Sequence, residues 1–343
     1  MRALVYTAPH CYTVMHVPTP VPANAEVLIR VWACGVCKTD VHIDQGHFFA
    51  AFPLIPGHEF AGEVVAVGNA VTRVRVGERV VADNQRQCGV CDCCRRGEPL
   101  FCVNVYAQGV NAPGGFAEYT LVHESQVYPL AEDISMLEGA LVEPTACAVH
   151  GMDVIEPHTG DAVLQFGAGP TGLILAQLLH HRGAAPLVVA DLSPVKLGLA
   201  VRWADAEPVS VVVADSAVHT RALHERYPQG FNIVIDATGV SHVAESLPQF
   251  ARNGAKIVYY GVCPEDDRIQ ISPYDVFRRE LKIIGSFSQV HTFDRAVRLI
   301  NSGIVRVQEL ITHTFPLEGW RDALQMVTTG SEHVKVVITP QSS

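Results

Sequence analysis

The chain has no uninterrupted apolar run of the ~18 residues that a membrane-crossing helix needs, so none is predicted. It is poor in positive charge. Lys and Arg number 25 against 35 Asp and Glu, a formal net charge of −10. Affinity for a nucleic-acid backbone needs clustered cations, which excludes a general phosphate-backbone binder. The N-terminal MRALVYTAPHCYTV lacks the long apolar run and small-residue cleavage site of a secretory signal, and a cytoplasmic location is expected. There is no internal repeat, low-complexity segment or long charge run. What is present in quantity is apolar material: 48% of the 343 residues are hydrophobic and 17% charged, which excludes a disordered chain. A length prior of ~150 residues per domain predicts two domains.

Cysteine is scarce as well. Ten in the whole chain cannot build a disulfide-dense scaffold, and cytosolic thiols stay reduced. Five of the ten nevertheless fall between Cys88 and Cys102, and such clustering reads as metal before disulfide. Cys88, Cys91, Cys94 and Cys102 form C-x2-C-x2-C-x7-C. Four soft thiolates at loop spacing suit tetrahedral zinc with no open position, a structural site. By spacing alone Cys93 leaves the choice of ligand within CDCC open.

The first ~150 residues are rich in Val, Gly and Pro, with short runs such as EVLIRVWA and EFAGEVVAVG. Such runs predict a compact, mostly antiparallel β domain. Beyond residue 151 short apolar strands alternate with helical stretches: DAVLQF, LVVAD, VSVVVAD, FNIVIDATG and AKIVYYGV. That alternation predicts a doubly wound parallel sheet. Ser193 and Pro194 read as the N-cap and first position of one of its helices. The predicted organisation is a β domain over 1–150 with a cysteine lobe at about 84–104, a doubly wound domain over 151–285, and a 286–343 segment of shorter elements.

GAGPTG, Gly167 to Gly172, fits G-x-G-x-x-G after a strand and at the start of a helix, where the motif has meaning. Gly167 permits the tight turn, Gly169 lets a pyrophosphate approach, and Gly172 allows close helix–strand packing. Pro170 and Thr171 open the helix whose N–H groups face the phosphates. Asp191 lies 19 residues after Gly172, at the end of the second strand. A carboxylate there accepts from both ribose hydroxyls and repels a 2′-phosphate, which predicts NAD over NADP. No Arg follows it directly, and Lys196 is near.

Taken together, CGVCKTDVH, GHEFAGEVVAVG, CGVCDCCRRGEPLFC, GGFAEY, EPTACAVHG, GAGPTG and KVVITP resemble the zinc-containing medium-chain alcohol dehydrogenases nearly end to end. The resemblance implies a GroES-like, mostly-β catalytic domain over 1–150, a Rossmann NAD-binding domain over 151–285 and a 286–343 segment returning to the catalytic domain, an α/β chain with two zinc ions. It implies that Cys37, preceding Thr39-Asp40, and His58 bind a catalytic zinc. The later cysteine of simple alcohol dehydrogenases is replaced here by Glu143, as in polyol and sugar dehydrogenases. Glu59 also ligates in some relatives, so either glutamate stands as the third ligand, the other acting through water. Thr39 and His42 hold the positions of the family's proton relay. Arg278 and Arg279 in VFRREL resemble a segment that reaches the substrate, and HFFAAFPLIPGHE and RRELKIIGSFS look like the arabinitol- and xylitol-type branch. The implied activity is NAD-dependent oxidation of a secondary alcohol, a polyol of arabinitol, xylitol or sorbitol type. The alternatives are a vicinal diol, a threonine-type amino alcohol or an aminocyclitol, and, remotely, a non-catalytic nucleotide-binding sensor. Relatives are homodimers or homotetramers through coenzyme-domain sheet edges, with KIVYYGV the candidate edge here.

Overall fold

The computed structural model describes residues 1–47, 49–211, 216–329 and 333–342. The chain divides into two compact units, Met1–Ala146 with Val290–Ser343, and Cys147–Gln289. Among the described residues no helix is long and apolar enough to cross a membrane.

The first unit is built on a seven-stranded sheet. Its order is Ile311–Phe315, Lys335–Ile338, Glu26–Gly35, Glu59–Val67, Arg79–Ala82 and Val127–Pro129, with Tyr119–His123 also paired to Glu26–Gly35. All pairs are antiparallel except that of Ile311–Phe315 with Lys335–Ile338, so the expected antiparallel domain gains two strands from the chain's end. Val27, Ile29, Val31, Phe60, Val64, Val80 and Phe116 fill the core with Trp320 and Val336 from the returning segment. The pairing of Glu26–Gly35 with Glu59–Val67 sets Gly35 opposite Glu59 and Cys34 opposite Phe60. Helix Lys38–Asp44 starts at once beyond that strand, with Cys37 at its N-cap, and the Asp40 carboxylate accepts from the Cys37 N–H at 2.9 Å. Its far end is tied into the core. The buried Tyr6 hydroxyl donates to Asp44 Oδ1 at 2.9 Å and accepts from Trp320 Nε1 at 2.8 Å. A short ladder of Gln85–Arg86 with Tyr106–Ala107 sets off the cysteine lobe.

The second unit is a six-stranded sheet, parallel throughout, in the order Glu207–Ser210, Leu187–Asp191, Val163–Phe166, Phe231–Asp236, Ala251–Tyr259, Lys282–Gly285. Numbered along the unit this is 3-2-1-4-5-6, the doubly wound order, and its switch point lies beside Val163–Phe166, where GAGPTG follows. The α/β expectation holds. The predicted VSVVVAD strand is seen as Glu207–Ser210, and residues 212–215 of it lie outside the described residues. KIVYYGV is not an edge: it lies in an interior strand, flanked on both sides, and the edge next to it is Lys282–Gly285, the opposite edge being Glu207–Ser210. Apolarity alone did not separate the two, because both strands carry β-branched residues. Ser193 caps helix Pro194–Ala204 through the Lys196 N–H, with Pro194 at the first position, as read.

Candidate metal centres and coenzyme site

Two clusters of metal-binding side chains form among the described residues, each with its ligand atoms within 4.8 Å of one another. The first is Cys88, Cys91, Cys94 and Cys102. Backbone N–H groups point at its sulfurs: that of Cys91 reaches Cys88 Sγ at 3.4 Å and that of Cys88 reaches Cys102 Sγ at 3.3 Å. The N–H groups of Val90 and Cys91 lower the Cys88 thiol to about 6. The thiolate form is thereby favoured, as a metal ligand requires. Cys93 is outside the cluster, its sulfur 3.6 Å from an Arg96 nitrogen, which resolves the choice within CDCC.

The second cluster is Cys37, His58 and Glu59. Cys37 sits at the helix N-cap, and His58 and Glu59 at the start of the strand that pairs with Glu26–Gly35. Cys34, three residues before Cys37, is fully buried in the core, and desolvation with the charges of Asp40 and Glu59 pushes its pKa well up. Thr39 Oγ1 lies 3.7 Å from Cys37 Sγ. His58 and Glu59 are buried, as are Asp40 and Glu143. Burial alone would lower the His58 pKa. The charges of Asp40, Cys37 and Glu143 outweigh it and hold the imidazole well above its ordinary value. Glu143 is not part of the tight ligand cluster, yet its charge reaches both His58 and Lys335. Asp40 Oδ1 and His58 Nδ1 are 3.7 Å apart, beyond hydrogen-bond length, and among the described residues neither atom has another partner. An acid-rich pocket with orphaned buried polar atoms and one cysteine sulfur, one imidazole and carboxylate donors fits zinc.

Sequence reasoning missed Lys335. Its buried ammonium pairs with Glu59 Oε2, and its pKa is raised because Glu59, Cys37 and Glu143 outweigh desolvation. A lysine inside the apolar run KVVI was the signal available.

His42 is half-buried on helix Lys38–Asp44. Burial, and then the charges of His47 and Lys38, lower its pKa, so it stays neutral below the ordinary histidine range. In the second unit, Gly167 has φ of 101°, and a Cβ there would press on the Ala237 carbonyl. Gly169 is the N-cap of helix Pro170–Arg182, with open space beside its Cα. Thr171 and Lys196 are half-buried. Asp191 Oδ2 accepts from the Ala168 N–H at 2.6 Å, and Oδ1 from that of Ser193 at 2.8 Å. The Arg279 guanidinium donates to Asp275 at 2.7 Å, to the Pro248 carbonyl at 3.2 Å and to the Ala251 carbonyl, so it binds its own unit together. Arg278 beside it is exposed.

The pattern of the alcohol dehydrogenase GroES-like domain matches residues 23–132, and that of the zinc-binding dehydrogenases matches residues 170–302. The chain is 40% identical over 342 residues to D-arabinitol dehydrogenase 1 of Uromyces fabae, covering 99% of this chain and 97% of that one. It is 36% identical over 295 residues to D-altritol 5-dehydrogenase of Agrobacterium fabrum (strain C58 / ATCC 33970), covering 84% and 85%. A structure from Sinorhizobium meliloti 1021, bound to NADP, superposes with a TM-score of 0.93 at 30% identity over 99% of each chain. This chain belongs to the zinc-binding alcohol dehydrogenase family.

Lys335→Met removes the cation from Glu59. Breaking a buried pair leaves an uncompensated charge and costs about 3–5 kcal/mol. Melting of chelator-treated protein should therefore fall steeply, and saturating zinc should recover part of the loss. Identical melting of variant and wild type without metal would contradict the pairing.

Proposed function

We propose that the protein is an NAD-dependent zinc dehydrogenase of polyols, oxidising a secondary alcohol of the arabinitol, xylitol or sorbitol type to a ketose, reversibly. The observation that carries the reading is the Cys37–His58–Glu59 cluster, its histidine and glutamate buried, with Glu143 electrostatically linked to it, supported by polyol dehydrogenases among the relatives. Cys37, His58 and Glu59 would hold the catalytic zinc, and Glu143, outside the tight cluster, would act on the site through water. Cys88, Cys91, Cys94 and Cys102 would hold a structural zinc, in a cytoplasmic setting where thiols stay reduced. When bound, zinc supplies a Lewis acid that lowers the pKa of the substrate hydroxyl, and the nicotinamide accepts the hydride.

The chain's own residues handle the proton and the orientation. Thr39 accepts the alcohol proton and passes it toward His42. His42, kept neutral by burial, delivers it to solvent. Gly167, Gly169, Pro170, Thr171 and Gly172 cradle the pyrophosphate, and Asp191 takes the adenosine ribose, with Lys196 nearby. Asp191 favours NAD, although the Sinorhizobium relative was solved with NADP. Arg278, exposed where Arg279 is committed to backbone carbonyls, is the stronger of the two substrate candidates. A second copy of this chain docks on the Lys282–Gly285 edge, beside Phe277 (78% exposed) and Ile283 (46% exposed), to form a homodimer or tetramer.

Reduction of NAD measured over three- to six-carbon polyols, 2,3-butanediol and L-threonine should give the highest kcat/KM with a pentitol or hexitol. Highest activity on the amino alcohol would replace the polyol reading. Glu59→Gln should lose zinc, whereas Glu143→Gln should keep zinc and lose turnover; the reverse pattern would exchange their roles. His42→Ala should slow oxidation at neutral pH by less than the ~10²-fold expected of Thr39→Ala, because water can substitute farther out. Its deficit should shrink as pH rises and hydroxide becomes the acceptor, and an unchanged pH–rate profile would make His42 a bystander. Ile283→Lys should shift light scattering toward monomer, and an unaltered mass would remove this edge as the interface.

A further inference from the structure

We propose that Gln165 is a positioning residue for the coenzyme, fixing the glycine turn and the Asp191 carboxylate through a single peptide unit. This rests on the reading that GAGPTG and Asp191 bind the adenosine end of a nicotinamide dinucleotide. Gln165 lies in strand Val163–Phe166 and is fully buried. An interior strand of a parallel sheet is normally a continuous apolar run, so a glutamine there costs stability unless its amide is used.

The amide nitrogen is used on the turn, while Oε1 has no hydrogen-bond partner among the described residues. Gln165 Nε2 donates to the Gly167 carbonyl at 2.8 Å and to the Gly172 carbonyl at 2.9 Å, the first and last glycines of the motif. A Cβ on Gly172 would stand 2.5 Å from the Gly167 oxygen and 3.2 Å from Gln165 Nε2, so the amide fits only beneath a glycine turn. The C=O and N–H of a trans peptide unit point in opposite directions. With the Gly167 carbonyl drawn down to Gln165, the Ala168 N–H is turned away from it. There it donates to Asp191 Oδ2 at 2.6 Å, while the Ser193 N–H holds Oδ1 at 2.8 Å. The bonds run without a break from Gln165 through the 167–168 peptide to Asp191.

Two consequences follow for a residue that touches no coenzyme. The turn cannot flip its 167–168 peptide without losing bonds at both ends. The carboxylate that separates a ribose 2′-hydroxyl from a 2′-phosphate is held in one orientation before coenzyme arrives. Position 165 therefore acts on coenzyme affinity and on the choice between NAD and NADP.

Gln165→Met keeps the length of the side chain and removes its donors. Fluorescence titration of the zinc-replete full chain with NADH and NADPH should show the Kd for NADH rising about ten-fold, as expected for two lost hydrogen bonds. NADPH should be affected less, narrowing the preference, with zinc content unchanged. Combined with Asp191→Asn, the losses should be less than additive, since one residue works through the other. NADH binding indistinguishable from wild type would overturn the inference. So would equal, additive losses for both coenzymes, which would reduce Gln165 to a packing residue. Wild type that binds no NADH would refute the coenzyme reading and this inference with it. If Gln165→Met does not fold, Asp191→Asn tests the same path from its other end. Hydrogen exchange at the Ala168 amide should quicken, and unchanged exchange would break the proposed chain of bonds.

Discussion

The first unit buries three carboxyl groups around His58 against one fixed cation. Asp40, Glu59 and Glu143 are buried there beside the Cys37 thiol, and Lys335 supplies a fixed positive charge. Carboxylates taken out of water cost several kcal/mol each unless paired and hydrogen-bonded. The pocket responds as electrostatics requires: the neighbouring negative charges raise the pKa values of both His58 and Lys335 against desolvation. A dication is the economical way to close such a deficit, because it replaces the proton on His58 and attracts both the thiolate and the carboxylates.

That pocket depends on one strand pairing. Because Glu26–Gly35 runs antiparallel to Glu59–Val67 with Gly35 opposite Glu59, the end of one strand and the start of the other meet. The first continues into the helix that carries Cys37, Thr39 and His42, and the second begins with Glu59. Gly35 is required at the meeting point for space. A Cβ there would collide with the Glu59 carboxylate and the Lys335 stem. The returning strand Lys335–Ile338, antiparallel to Glu26–Gly35, brings the lysine in from the far end of the sequence. The hydrogen bonds from Tyr6 to Asp44 and from Trp320 to Tyr6 anchor the other end of the helix.

What was legible in the sequence was whatever is local. Cys88, Cys91, Cys94 and Cys102 lie within a short loop, and GAGPTG is contiguous, so spacing alone carries their chemistry. Cys37 and His58 were reached through the resemblance, because their meeting depends on a register that no spacing encodes. Lys335 was invisible for the same reason, being some 276 residues from Glu59 as the difference of their numbers. The edge strand was misread because KIVYYGV and LKIIG are similar in composition, and only the crossover order tells interior from edge. Arg278 and Arg279 are neighbours with one residue type and different duties. The separation comes from the carbonyls of Pro248 and Ala251, which lie within reach of Arg279.

The two ligand sites solve opposite problems. At the metal pocket the orphaned Asp40 Oδ1 and His58 Nδ1, and the surplus of acids, leave the protein incomplete by itself. At the glycine turn the carbonyls of Gly167 and Gly172 are capped by Gln165, and the Ala168 N–H is capped by Asp191. A turn whose 167–168 peptide is bonded at both ends keeps its shape when empty, so little ordering has to be done each time a dinucleotide arrives. A pocket left unsatisfied holds its ion tightly, because release restores the full cost of the buried charges. A dehydrogenase needs this division of labour: its metal stays through many turnovers, whereas its coenzyme must leave after each one.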